Sequence, residues 1–135
     1  MRSILHPFTL VATTPRAFDD AVGRAREVLA EEGFGILCEI DVAATLRDRL
    51  GVEREPYLIL GACNPPYAHE ALELEPDLGT LLPCNVVVYV DDGLTHISAI
   101  DPERLLAVAD RPELEPIATE IHRRLQRVVD RVAAC

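Results

Sequence analysis

Hydrophobic and polar residues along the chain follow two different periods, which predicts a mixture of strands and helices. Short apolar runs and positions alternating with a period of two predict five strands, at residues 4–13, 35–40, 57–63, 84–90 and 94–100. Apolar stripes with helical spacing predict five helices, after residue 14, at 42–50, at 65 to about 74, after 102 and from 112 onward. The pattern therefore predicts an α+β fold, with a mainly antiparallel sheet of about five strands and helices mostly on one side.

Capping residues indicate where these helices begin and end. Thr14 is the predicted N-cap of the first helix, with Pro15 at its first position. Asp41 is the predicted N-cap of the second helix, which Gly51 closes. Asn64 is the predicted N-cap of the third helix, so a capping role would account for this residue without any ligand.

Asp92 and Gly93 predict a two-residue hairpin turn between the last two strands. The turn sets a register that pairs Val90 with Thr95, Val88 with Ile97 and Val86 with Ala99. Cys84 then shares the apolar face that packs under the helices. The opposite face is open to solvent, a second subunit or a ligand, and carries Asn85, Val87, Tyr89, His96 and Ser98.

The same alternation along residues 35–40 assigns a face to the side chains of the second strand. It places Cys38 inward with Ile36 and Ile40, and Glu39 on the open face with Leu37. Glu39 is therefore a candidate for contact with a ligand on that face.

Size and charge limit the classes of protein that this chain can belong to. Its 135 residues are predicted to form a single domain, residues 1–135. The chain has 13 basic and 23 acidic residues, a net charge of -10, and this balance argues against binding to nucleic acid or to anionic membranes. Transcription-factor function is excluded on this ground.

Targeting signals and cysteine usage predict the compartment. The first residues do not resemble a signal peptide, and no apolar run approaches the length of a membrane span. We therefore expect a cytoplasmic protein whose four cysteines stay reduced.

Cys63 and Cys84 are the sharpest candidates for chemistry. Cys63 ends a strand immediately before a helix, where backbone N–H groups and the helix dipole can lower the pKa of a thiol. Cys84 is interpreted mainly as a small buried hydrophobe. The two thiols could form a redox pair, or bind a soft metal with His69, although the sequence lacks the C-x-x-C spacing typical of a zinc site.

Other polar residues have simpler structural interpretations. Asn85, within a strand, either bonds a neighbouring loop or faces a ligand, and the structural role is favoured. His96 opposite Tyr89 is interpreted as a cross-strand pair. The last helix carries an arginine cluster that acidic neighbours interrupt, which is typical of a solvated, ion-paired face: Arg123, Arg124, Arg127 and Arg131.

Three segments together resemble a known family. They are Gly33-Phe34-Gly35-Ile36-Leu37 followed by Glu39-Ile40-Asp41-Val42, then Leu60-Gly61-Ala62-Cys63-Asn64-Pro65, then Leu81-Leu82-Pro83-Cys84-Asn85-Val86-Val87-Val88. In this order and spacing they resemble the domain-of-unknown-function family 302. The resemblance implies a two-layer sandwich related to one copy of the TATA-binding-protein-like fold, and a homodimer. It implies no established activity, and the fold name does not imply DNA binding.

Three functions remain open on the sequence. The favoured one is a small binding module that uses the open sheet face or a groove near Cys63 and Asn85, with a small molecule or a second subunit as its partner. The alternatives are thiol-based redox or soft-metal chemistry, and a purely structural dimerisation module. No phosphate loop, nucleophile elbow or metalloprotease helix occurs, so the sequence favours a protein that is not an enzyme and leaves the identity of any cofactor unknown. The candidate ligand-binding residues are Cys63, Asn64, Asn85, Cys84, Glu39 and Tyr89.

Overall fold

Five strands and five α-helices account for most of the chain in the computed structural model, which describes residues 8–134. The strands are β1 (Thr9–Thr14), β2 (Gly35–Asp41), β3 (Tyr57–Cys63), β4 (Cys84–Asp91) and β5 (Leu94–Ile100). The helices are α1 (Phe18–Glu31), α2 (Val42–Leu50), α3 (Pro65–Leu74), α4 (Pro102–Ala107) and α5 (Glu115–Ala133). Short 3₁₀ turns occupy Pro76–Thr80 and Pro112–Leu114.

The strands form one antiparallel sheet in the order β1-β5-β4-β3-β2. α1 and α5 pack against β4, β5 and β1, and α5 contributes a buried stripe that repeats with helical spacing. Burial of that stripe against one sheet face gives the core. The predicted α+β fold, with helices against an antiparallel sheet, is confirmed.

The β4–β5 hairpin has the register that its turn predicts. Asp92 and Gly93 have φ angles of 54° and 74°, the left-handed conformations that a two-residue turn of this type requires. Val86 pairs with Ala99, Val88 with Ile97, and Val90 with Thr95. Cys84 is consequently buried on the face that packs against the helices.

The predicted faces along β2 are correct for Ile36 and wrong from Cys38 onward, because β2 contains a bulge. Ile36 pairs with Ala62, whereas Cys38 pairs with the next residue of β3, Gly61, so Leu37 is an extra residue in the strand. One extra residue exchanges the two faces for everything that follows it. Cys38 and Ile40 therefore lie on the open face. Glu39 lies on the helix side instead.

Two of the predicted caps differ from the observed structure. α1 begins at Phe18 with Ala17 as its N-cap, while Thr14 Oγ1 accepts a hydrogen bond from the N–H of Arg16 at 3.2 Å in the turn before the helix. Asn64 stands at the N-cap position of α3 but makes no capping hydrogen bond. Asp41 does cap α2, since its Oδ1 accepts from the N–H of Ala44 at 2.8 Å.

Residues 4–7 of the first predicted strand lie outside the described part of the chain. None of the helices within residues 8–134 is long and apolar enough to cross a lipid bilayer.

Candidate functional site

The structure divides the predicted site residues between the two faces of the sheet. Cys84 pairs with Ala62 on the helix side, whereas the neighbouring pair, Asn85 with Gly61, belongs to the open face. Tyr89 lies on the open face with Asn85. No single site can therefore include both Cys84 and Asn85.

A small apolar pocket lies where β3 and β4 meet α3 and α5. Its walls include Cys63, Asn64 and Cys84, covered by Tyr67 of α3. Its volume of about 40 Å³ holds one or two water molecules. Three predicted residues thus share one place, whose volume is far below the roughly 300 to 1,000 Å³ that is usual for a small-molecule site. His69 is exposed on α3 and does not line it.

The two thiols have raised pKa values, which is the opposite of the expectation for Cys63. Burial raises the pKa of the Cys63 thiol, and burial together with the nearby Cys63 raises the pKa of Cys84 to about 11. The start of α3 cannot offset this effect, because Pro65 and Pro66 have no N–H groups to donate to a thiolate. Both thiols are therefore protonated at neutral pH. Within residues 8–134, all three cysteines are free: Cys38, Cys63 and Cys84.

Asn64 connects the beginning of α3 to the end of α1. It is buried, and its Nδ2 donates to the carbonyl oxygen of Glu32 at 3.5 Å. Arg124 Nη1 donates to the same carbonyl at 3.0 Å, and the Arg124 guanidinium lies 5.3 Å from the centroid of the Tyr67 ring, which lines the pocket. The Glu32 carbonyl, shared by Asn64 and Arg124, and the cation–π contact of Arg124 with Tyr67 join the end of α1 to α3 and α5. Asn64 therefore has a structural role.

The arginine cluster on α5 is occupied by carboxylates rather than open to an anion. Arg127 makes a bidentate pair with Glu32, with Nη2 to Oε1 at 2.7 Å, and this pair lowers the pKa of Glu32. Arg123 and Arg124 lower the pKa of Glu120 to about 2. The ion-paired interpretation of this face therefore agrees with the observed contacts, which also join α5 to the end of α1.

A row of stacked rings crosses the open face, and sequence reasoning found only part of it. Tyr89 stacks on His96 with ring centroids 4.8 Å apart, which is the predicted cross-strand pair. Tyr57 of β3 stacks on the other side of Tyr89 at 5.2 Å, and the Arg54 guanidinium lies 5.0 Å from the centre of the Tyr57 ring. The alternation along β3 places Tyr57 on the open face, so period-two analysis of that strand was the signal available for it.

A shallow groove of about 280 Å³ lies beside this row of rings. It is the part of the open face with the chemical variety typical of a ligand site: rings, one cation, one carboxylate, a hydroxyl and apolar surface. Its lining comprises Phe8, Arg54, Tyr57, Val87, Tyr89, Asp91 and Ser98. We call it the open-face groove.

Two predicted residues lie outside the open-face groove. Glu39 is on the helix side, where Arg26 of α1 binds both of its carboxylate oxygens, with Nη2 to Oε1 at 2.7 Å. This hydrogen-bonded pair lowers the pKa of Glu39. Asn85 is exposed on the open face but does not line the groove.

Comparisons with known proteins agree with the fold. The model of the family described as domain of unknown function DUF302 matches residues 10–132, which run from β1 to the end of α5. The chain belongs to this family. It is similar to the crystal structure of an uncharacterized conserved DUF302 protein from Bacillus stearothermophilus, at 32% identity and a TM-score of 0.88, covering 94% of this chain and 99% of that one. No curated protein matches the chain.

Membership of the DUF302 family bears differently on fold and function. A family match over most of the chain, together with a closely similar solved structure, supports the two-layer architecture. Neither description carries an activity, a ligand or a partner. Function therefore resides in the sites of this chain rather than in its fold.

Proposed function

We propose that this DUF302 protein is a small binding module whose ligand occupies the open-face groove. The observation that carries this proposal is the placement of Arg54 and two tyrosines around a groove with a volume of about 280 Å³. That volume lies close to the lower end of the range usual for small-molecule sites, roughly 300 to 1,000 Å³. The pocket at Cys63 and Cys84 is about one seventh of this size, from the volumes of about 40 Å³ and 280 Å³.

The chemistry of the groove favours a small anion with an apolar body. Arg54 is exposed and lies at the edge of the groove, so its guanidinium can pair with a carboxylate or phosphate without being buried. Val87 offers apolar contact on the groove floor, and Ser98 offers a hydroxyl. A compact aromatic or aliphatic carboxylate satisfies these groups together.

The stacked rings also limit the mode of binding. The faces of the Tyr89 ring are covered by Tyr57 and His96, at centroid distances of 5.2 Å and 4.8 Å. A nucleobase that binds by stacking needs an uncovered ring face, and the repeated phosphates of a nucleic-acid backbone need more positive charge than a chain of net charge -10 provides. These two features support a small ligand held at ring edges and side-chain polar groups.

Arg54→Ala tests this proposal, with benzoate and 4-hydroxybenzoate as probes. We expect both probes to raise the melting temperature of the wild-type protein, and Arg54→Ala to weaken binding by about five- to tenfold, since one charge-assisted pair is lost. Arg49→Ala is the matched control, because Arg49 is an exposed arginine that does not line the groove. Equal binding by wild type and Arg54→Ala, or no thermal shift with either probe, would rule the proposal out.

A second subunit is the other candidate occupant of the same face. The middle row of the open face is largely apolar and crosses all five strands: Ile40, Ile59, Val87, Ser98 and Val11. Such a row is suited to cover by a second sheet, since burial of apolar surface stabilises an interface. Light scattering on the eluted protein separates the two occupants. A dimer that Val87→Lys converts to a monomer supports the subunit, whereas a monomeric wild type supports the small ligand.

A further inference from the structure

Three side chains suited to metal binding converge on the helix layer, away from the open face. His122 of α5 places Nδ1 3.0 Å from Oδ1 of Asp101 and 3.2 Å from Oε1 of Glu103. One donor atom from each residue lies within 4.8 Å of the other two. Sequence reasoning considered His69 and missed this cluster, because Asp101 and His122 are 21 residues apart and only the packing of α4 on α5 brings them together.

The two separations from His122 Nδ1 to the carboxylate oxygens match those between ligands around a transition metal. Bonds of about 2.0 to 2.2 Å to nitrogen and oxygen place neighbouring donors roughly 3.0 to 3.4 Å apart at angles between octahedral and tetrahedral. The two N···O separations of 3.0 and 3.2 Å fall in this interval. A cation can therefore be accommodated with small side-chain adjustments.

Neighbouring groups hold the two carboxylates in position. The backbone N–H of Glu103 donates to Asp101 Oδ1 at 2.9 Å, and Thr119 Oγ1 donates to Glu103 Oε2 at 3.3 Å. Outer hydrogen bonds of this kind orient metal ligands and are part of many metal sites. The contact from Thr119 also fixes Glu103 relative to α5, the helix that carries His122.

A groove of about 360 Å³ opens beside the cluster, and Glu103 and Thr119 are in its wall. Its remaining walls combine apolar residues, Leu106, Leu114 and Ala118 among them, with charged ones: Asp110, Arg111 and Glu115. A cation held by three protein ligands keeps further coordination positions for water or an exchangeable ligand, and this groove gives such a ligand access.

From the three donors, their spacing and the adjoining groove, we propose that Asp101, Glu103 and His122 bind one divalent first-row transition metal ion. This site is separate from the open-face groove and does not depend on the proposed function. One imidazole and two carboxylates suit Mn²⁺, Fe²⁺ or Zn²⁺, whereas Mg²⁺ and Ca²⁺ prefer sites made of oxygen ligands alone. His122 binds the ion through Nδ1, which leaves Nε2 available as a hydrogen-bond donor.

Mn²⁺ titration followed by electron paramagnetic resonance of the free ion tests the site. Mn²⁺ avoids interference from the cysteines, because thiolates select softer metals. An excess of Mg²⁺ in every sample occupies the weak sites expected on a chain of net charge -10. We expect wild-type protein to bind one equivalent of Mn²⁺ under these conditions.

Two variants and one control show whether the bound Mn²⁺ lies at the proposed site. His122→Ala and Glu103→Gln should each weaken Mn²⁺ binding at least about tenfold, since each removes one direct ligand. His69→Ala, an exposed histidine on α3, should bind like wild type. Thermal unfolding without metal shows that each variant is folded. An absence of Mn²⁺ binding in wild type, or equal binding by folded His122→Ala, overturns the proposal and leaves the cluster as a set of hydrogen bonds that join α4 to α5.

Discussion

Cys38 Sγ lies over the α-carbon of Gly61, only 2.5 Å from the place where a Cβ atom on Gly61 would stand. The bulge at Leu37 creates this contact, because it turns Cys38 onto the open face opposite its partner in β3. Pro83 Cγ is 3.0 Å from the same point. A side chain at position 61 thus has no space unless a neighbour moves.

Gly61→Ala should therefore destabilise the protein by about 1 to 3 kcal/mol, the usual range for an overpacked site. Urea unfolding of the single variant measures this change. Cys38→Ala in the same chain removes the nearest atom, so the double variant should regain part of the loss. If Gly61→Ala unfolds at the wild-type urea concentration, the steric account of this glycine is wrong.

The alkylation of Cys63 by iodoacetamide tests the electrostatics of the strand end before α3. Burial raises the pKa of this thiol, and the two prolines of α3 provide no N–H donors. The rate of alkylation should therefore keep rising with pH beyond the ordinary thiol pKa of about 8.5. Peptide mass spectrometry follows each cysteine separately, and the exposed Cys38 serves as the internal reference. A rate that levels off well below pH 8.5 would restore thiol chemistry as a candidate function.

The buried Cys84 thiol should make stability fall at alkaline pH. Its folded-state pKa of about 11 lies above the unfolded value, so the protonated form is favoured by folding and stability is lost as pH rises from the unfolded pKa toward about 11. The loss should be about 3 kcal/mol, since each unit of difference between the folded and unfolded pKa is worth about 1.4 kcal/mol. All 13 basic residues are arginine, so no lysine titration obscures the measurement.

Cys84→Ala is the variant for this experiment, with urea unfolding at a series of pH values. Its free energy of unfolding should depend less on alkaline pH than that of wild type, although it should be lower at neutral pH because a buried side chain has been shortened. Cys38→Ala, at an exposed position, should retain the wild-type slope. If the free energy of unfolding of Cys84→Ala and of wild type depends on alkaline pH to the same extent, the raised pKa of Cys84 is not the cause of the loss of stability.

Glu32 should contribute to the acid sensitivity of the fold. Arg127 lowers its folded-state pKa, so this contribution is present above the unfolded pKa and is lost as pH falls through the folded value. Glu32→Gln should reduce stability at neutral pH and flatten the acid limb of the unfolding profile. Glu27→Gln, at an exposed position on the same helix, is the control and should leave the profile unchanged.

Local sequence signals account for the elements and for the central hairpin. A two-residue hairpin turn of this type requires positive φ angles, which Asp92 and Gly93 adopt. The position of this turn sets the strand register that buries Cys84. The Asp41 cap and the Gly51 stop of α2 were predicted correctly for the same reason, since each acts on backbone groups a few residues away.

Long-range packing decided the sites. The bulge at Leu37 depends on how β2 meets β3, and it moved Cys38 and Glu39 to faces that alternation could not assign. The burial of Cys63 depends on which side chains cover its thiol. Its position in the sequence, immediately before a helix, therefore does not predict that burial. The row that joins Arg54, Tyr57, Tyr89 and His96, and the cluster at His122, bring together residues from separate elements. The sequence alone thus determined the order of the strands and helices and the hairpin register, because turn and capping energies act locally. Only the tertiary structure determined which side chains share a site, because that depends on contacts between residues distant in the chain.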